Sequence, residues 1–119
     1  MKVLIVDDNS AVRQLVRDYL PESADQVYEC ADGSEALGNY KRYKPDWVLM
    51  DQAMPGMDGI TAIREIIVEF PKANICMVTA FDDSDLRSAA FSAGAAGFVV
   101  KDNLSELRTI LTDRRYRSI

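Results

Sequence analysis

Val3-Leu4-Ile5-Val6-Asp7-Asp8 is the stretch on which the fold turns. Four consecutive apolar residues are too few for a helix, and no polar residue alternates among them. Such a run suits a strand covered on both faces, as strands of a parallel sheet are. Similar runs stand at residues 47–50, 75–78 and 98–100, and a fifth, 27–30, is interrupted by Glu29 and reads as an edge strand.

Between the runs the period changes from strand-like to helical. Val12, Leu15, Val16, Tyr19 and Leu20 fall on one helical face, and Pro21 stops it. Ala36, Leu37, Tyr40 and Tyr43 mark a second helix, with Asp32 and Glu35 close to a capping box. Ile60, Ile63, Ile66, Ile67 and Phe70 mark a third, ended by Pro71. An alanine-rich fourth spans residues 86–93, with Gly94 as its C-terminal cap. The fifth opens with Asn103 and Glu106 at capping-box spacing and carries Leu104, Leu107, Ile110 and Leu111. Five β–α units in strict alternation predict a doubly wound α/β domain, with helices on both faces of a parallel sheet. No repeat, low-complexity segment or linker divides the chain, so residues 1–119 are expected to form a single domain.

Composition narrows the chemistry. A net charge of −5 argues against nucleic-acid binding by this segment, since backbone affinity comes from Lys and Arg. The small cluster Arg114, Arg115 and Arg117 reads as a solvated helix end or the start of a linker. The chain has no histidine, which removes imidazole bases, His-ligated zinc and a phosphohistidine role. Cys30 and Cys76 show no CxxC spacing and read as reduced, apolar strand residues. No signal peptide or membrane-length segment is present, so the expectation is a soluble, cytoplasmic protein with no membrane partner.

In open α/β sheets, ligands bind beyond the carboxyl ends of the strands. Those ends carry Asp7 and Asp8, Asp51, Thr79 and Lys101. Each has a plainer reading alone: a helix cap or turn former for an Asp, a backbone-bonded strand end for Thr79, a solvated charge for Lys101. If the strand order is 2-1-3-4-5, the four strands are neighbours and the five side chains converge, which four independent accidents would not produce. Carboxylates packed together repel, and a hard dication with oxygen ligands relieves that repulsion; Mg²⁺ fits best, because it takes one or two carboxylates with waters and phosphate oxygens. Aspartate can act as a nucleophile towards phosphorus, and a nearby cation and lysine supply alignment and charge neutralisation.

The segments Val6-Asp7-Asp8-Asn9, Asp51 with Met54-Pro55-Gly56-Met57-Asp58-Gly59, Thr79-Ala80 and Gly97-Phe98-Val99-Val100-Lys101 resemble the receiver domains of two-component response regulators, from Val3 to about Leu111. The resemblance implies a flavodoxin-like (βα)5 fold of order 2-1-3-4-5. It implies that Asp51 is the phospho-acceptor, served by a histidine kinase or a phosphotransfer protein. Mg²⁺ would be held directly by Asp8, largely through water by Asp7, and by the Asp51 side chain and the Ala53 backbone carbonyl. Lys101 would pair with the phosphoryl oxygens, Thr79 would bond to one of them, and Phe98 would occupy the aromatic switch position, turning into space that Thr79 vacates. The plainer reading of Phe98 is a core or edge aromatic. The chain then works as a signalling switch rather than an enzyme, altering the surface of its fourth helix, fifth strand and fifth helix to favour a homodimer or a downstream partner, with transcription as the expected output.

Residues 101–107 look most like receivers that precede a helix-turn-helix domain of the NarL/LuxR type, so the chain is a stand-alone receiver or part of a longer regulator. Many receivers place proline after the lysine, but Asp102 stands here, and a trans Lys101–Asp102 bond is expected. Ala53 and Phe81 cannot orient an attacking water by hydrogen bonding, which predicts slow self-dephosphorylation. A phosphatase of the haloacid dehalogenase type would need a second aspartate at Ala53. A never-phosphorylated interaction module would ordinarily lack one of the site residues. A flavin carrier would need a Ser/Thr-rich first loop, which is missing.

Overall fold

The computed structural model describes residues 1–116. Five strands, β1 (Lys2–Val6), β2 (Gln26–Cys30), β3 (Trp47–Met50), β4 (Ile75–Thr79) and β5 (Gly97–Val100), form one sheet in the order β2-β1-β3-β4-β5. Every pairing is parallel. The helices are α1 (Ser10–Asp18), α2 (Ala36–Tyr43), α3 (Gly59–Glu69), α4 (Ser84–Ala93) and α5 (Glu106–Leu111). The expected doubly wound, flavodoxin-like topology is therefore the one found, with β2 at an edge.

The two-residue period of the strands divides the core. Leu4, Val6, Val48, Met50, Ile75, Met77 and Phe98 face α2, α3 and α4, meeting Ala36, Ile63, Ile66 and Ala90. Val3, Ile5, Trp47, Leu49, Cys76, Val78 and Val99 face α1 and α5, meeting Val16, Leu107 and Leu111. Burying each large aliphatic contributes about 1.5–3 kcal/mol. This two-sided cover is what the unbroken apolar runs encode.

Local signals set most helix ends. Asn9 caps α1 by accepting from Ala11 and Val12, Asp58 caps α3 by accepting from Thr61, and Asp83 caps α4 by accepting from Asp85 and Leu86. Gly94 closes α4 at φ 115°, where a side chain would be strained. Glu29, which interrupts the edge strand, bridges Arg13 and Arg17 of α1. Burial alone would raise its pKa; the two guanidiniums outweigh that and hold it below the ordinary glutamate value.

Two helix starts differ from expectation. Asp32 caps a short 3-10 turn, Gly33–Glu35, which runs into α2. After β5 the chain makes a 3-10 turn over Lys101–Asn103, and α5 begins only at Glu106, with no side-chain cap. The Asn103 amide donates to the Glu106 carboxylate at 2.6 Å instead of closing a capping box. Leu15 and Tyr19, expected on the inner stripe of α1, are 46 % and 38 % exposed, because that stripe is wider than the face the sheet covers. Arg114 and Arg115 lie in a 3-10 turn, Arg114–Tyr116, while Arg117 of the expected basic cluster lies outside the described residues. No peptide bond among the described residues is cis, the Lys101–Asp102 bond included. No described helix is long and apolar enough to cross a membrane.

Both cysteines are free. They stand on β2 and β4, three strand spacings apart or roughly 14 Å, beyond disulfide reach. Burial pushes the Cys76 thiol up to about 12 and, with Glu35 nearby, the Cys30 thiol up to about 11. Neither should form the reactive thiolate at neutral pH. The folded protein is expected to resist iodoacetamide, with both thiols alkylated once it is denatured. Native labelling of Cys76, read by intact mass, would contradict this packing.

Candidate functional site

Parallel strands end together, and the site sits where β1, β3, β4 and β5 finish. Asp7 follows β1, and its amide donates to the Cys30 carbonyl at 3.2 Å. Its carboxylate turns back to accept from the Asn9 amide at 2.9 Å, and Arg13 braces its carbonyl at 2.6 Å. Asp51 follows β3, anchored by its amide to the Val6 carbonyl at 2.9 Å. Both aspartates are buried, at 4 % and 5 % exposure, whereas Asp8 faces solvent.

Lys101 reaches across from the end of β5. Its Nζ lies 2.9 Å from Asp7 Oδ2 and 3.1 Å from Asp51 Oδ1, bridging the two buried carboxylates. Burial and the neighbouring Asp7 charge raise the Asp51 pKa, and Lys101 only partly offsets them. Burial would lower the Lys101 pKa, but its hydrogen bonds and ion pairs with Asp7 and Asp51 outweigh that, and the net shift is upward.

Asp7, Asp8 and Asp51 each offer one oxygen within 4.8 Å of the others. The donor set is all hard oxygen, two members are buried, and the third opens to water. It fits a cation such as Mg²⁺, which keeps part of its hydration shell.

The loop after Asp51 is fixed by the same few residues. Gln52 accepts from the Ile60 amide at 2.9 Å, and the Gly59 amide donates to the Gln52 carbonyl at 3.0 Å. A Cβ on Gly59 would fall 2.2 Å from the Asp51 carbonyl oxygen, so α3 starts against the backbone of Asp51. Ala53 is exposed on this loop.

Thr79 is fully buried at the end of β4, paired in register with Val100, the residue before Lys101. Its Oγ1 accepts from the Phe81 amide at 3.2 Å, and Phe81 itself is 52 % exposed. Phe98 is 6 % exposed beneath α4, its ring inside the core. The structure thus brings Asp7, Asp8, Asp51 and Lys101 into one cluster and sets Thr79 on the neighbouring strand end. The supports from Arg13 and Gln52 escaped the sequence reading. Arg13 lies on α1 rather than at a strand end, and Gln52, though it follows Asp51, acts through an amide that no pattern marks; Gly59 was visible only as the close of the Asp51 loop motif.

Comparison with known proteins agrees with this geometry. Residues 3–112 match the family described as response regulator receiver domain. The transcriptional regulatory protein YhcZ of Bacillus subtilis is 42 % identical over 108 residues, which span 89 % of this chain and half of YhcZ. The chemotaxis protein CheY of the same organism is 40 % identical over 101 residues, covering 84 % of each chain. Among solved structures, a LuxR-family two-component response regulator from Aurantimonas sp. SI85-9A1 superposes with a TM-score of 0.80 at 35 % identity, over 89 % of this chain and 78 % of that one. With its acidic cluster, lysine and strand order accounted for, the chain belongs to the response regulator receiver domain family.

Proposed function

We propose that the whole chain is one receiver domain in which Asp51 accepts a phosphoryl group from a histidine kinase or a histidine phosphotransfer protein. The observation that carries this is the Lys101 ammonium held between Asp7 and Asp51. A buried acceptor carboxylate stands beside a fixed cation, and within the same acidic cluster Asp8 opens to solvent. In transfer, an Asp51 oxygen forms the new bond to phosphorus while the donor's N–P bond breaks and its electron pair stays on the imidazole. Lys101 is placed to follow the developing charge on the phosphoryl oxygens. Asp8, Asp7, Asp51 and the Ala53 carbonyl are the groups that would hold Mg²⁺. That ion supplies positive charge against the phosphoryl oxygens.

Thr79 would exchange its Phe81 partner for a phosphoryl oxygen, pulling the loop after β4 inward. The α4–β5–α5 surface would then change its affinity for a partner or a second copy of the chain. Transcription is the output we favour, since YhcZ is named a transcriptional regulatory protein. We place the protein in the cytoplasm and read it as a switch, not an enzyme with turnover.

The test is intact-mass spectrometry after acetyl phosphate and Mg²⁺. The native chain should carry one phosphoryl adduct, decaying slowly because Ala53 and Phe81 offer no group to orient water. Asp51→Asn should carry none. An adduct surviving that substitution would sink the assignment. The same variant should melt higher without metal. A raised Asp51 pKa means that the folded state binds that proton more tightly, so stability falls as pH rises through the folded value. Removing the charge at neutral pH should therefore stabilise, by about 1 kcal/mol.

A further inference from the structure

Phe98 does not lie under α4 by apolar packing alone. The guanidinium carbon of Arg87 is 5.5 Å from the Phe98 ring centroid and 5.5 Å from that of Phe91. Arg87 and Phe91 are one turn apart on α4, so the helix presents a cation and a ring together. The stack runs from solvent to core, with Phe91 40 % exposed and Phe98 6 %.

Among the described residues Arg87 forms no ion pair. The two carboxylates that line the groove beside it are otherwise engaged, Glu106 accepting from Asn103 at 2.6 Å and Asp113 pairing with Arg115 at 2.7 Å, while the side chain of Asp83, one turn earlier, caps α4. An exposed arginine without a carboxylate ordinarily extends into water, yet here it lies over two aromatic faces. Beside Phe98 runs a groove of about 320 Å³ whose walls include Arg87, Phe91, Glu106, Ile110 and Asp113. A cavity of about 150 Å³ already accepts benzene, so this groove could receive the Phe98 ring if it swung out. The ring therefore has two places to lie, and Arg87 borders both.

We propose that Arg87 is a latch whose guanidinium, lying over the rings of Phe91 and Phe98, favours the buried position of the Phe98 ring over its position in the groove. The inference rests on the receiver reading above, in which Phe98 responds to the state of Asp51. A contact made better in the buried state shifts the population towards it, and by linkage tightens binding of whatever favours the same state at Asp51. Arg87 is thus a positioning residue, remote from the reacting atoms.

The test uses the whole chain labelled with 4-fluorophenylalanine, the Phe98 resonance being assigned by Phe98→Tyr. Broadening by a soluble paramagnetic agent reads ring exposure, and beryllofluoride with Mg²⁺ reads the phosphoryl site. Arg87→Met keeps the aliphatic stem and removes the cation. It should raise Phe98 broadening about two- to fivefold and weaken beryllofluoride binding by up to the same factor, with the Phe70 resonance unmoved. Arg87→Lys should fall between, and serves if Arg87→Met does not fold. Equal protection of Phe98 in the native and Arg87→Met chains would overturn the latch. Greater exposure with unchanged beryllofluoride affinity would overturn its coupling to Asp51. Failure of beryllofluoride to bind the native chain would count against the receiver reading instead, while ring exposure would still decide the latch.

Discussion

Lys101→Met is expected to lower the melting temperature by about 12 °C in metal-free buffer near neutral pH. The lysine neutralises two carboxylates exposed by only 4 % and 5 %, and methionine fills its volume without the charge. Removing one partner of a buried pair costs about 3–5 kcal/mol; Lys101 keeps a fifth of its side chain in solvent, which favours the lower end. At about 4 °C per kcal/mol for a domain of this size, that gives the stated shift. The pH dependence discriminates this from lost packing. Lys101 has a folded pKa above its ordinary value, so its contribution is complete below about 10.5 and is lost as pH rises through the higher folded value. Asp51 has a folded pKa raised above the ordinary aspartate value, so the variant should regain stability as pH falls through that value and the carboxyl protonates. The gap between native and variant should be widest from neutral to mildly alkaline pH and narrow at both ends. Adding Mg²⁺, or Asp7→Asn in the same chain, should close much of it. A difference that stayed flat with pH would mean the ion pairs contribute nothing measurable.

The same cluster shows where sequence reasoning succeeds and where it stops. The strand runs at residues 3–6, 47–50 and 75–78 were legible because burial on both faces leaves no alternation to misread. Pro21, Pro71 and Gly94 were legible because their backbones forbid or permit one conformation. The site was legible because parallel strands end together, so placing Asp7, Asp51 and Lys101 on strand ends was enough to bring them close. The start of α5 was not. Asn103 and Glu106 had the right spacing for a cap, but the turn begins at Lys101, whose ammonium is fixed between two carboxylates, and the two side chains bond each other. Phe98 was visible as a residue but not as a rotamer, and its contact with Arg87 depends on how α4 sits over β5. Arg13 supports Asp7 through a carbonyl, an interaction that leaves no side-chain pattern in a sequence.

Gly59→Ala is expected to cost more than about 3 kcal/mol and to abolish phosphoryl acceptance with it. Helix propensity predicts the opposite sign, since alanine is favoured over glycine by about 1 kcal/mol within a helix. The backbone of Gly59 is not in the left-handed region, so conformational strain is not the objection. Contact is. The added Cβ would lie 2.2 Å from the Asp51 carbonyl oxygen and 3.0 Å from both the Asp51 carbonyl carbon and Gln52 Cα. All three are backbone atoms, so no rotamer change can relieve the overlap. Ordinary overpacking costs about 1–3 kcal/mol because side chains give way, and here none can. The 3.0 Å bond from the Gly59 amide to the Gln52 carbonyl holds the two segments together and would have to break or bend. What moves is the peptide carrying Asp51, which ties the loss of stability to the loss of its alignment with Lys101. Gly38→Ala supplies the comparison: it lies within α2 with nothing inside 4 Å of its added Cβ, and should stabilise by about 0.5–1 kcal/mol. Urea midpoints for the two variants, measured beside the native chain, should therefore move in opposite directions. Equal midpoints would mean that the β3–α3 loop is soft enough to absorb a methyl group, and Asp51 would then be positioned by Lys101 and the Val6 carbonyl alone.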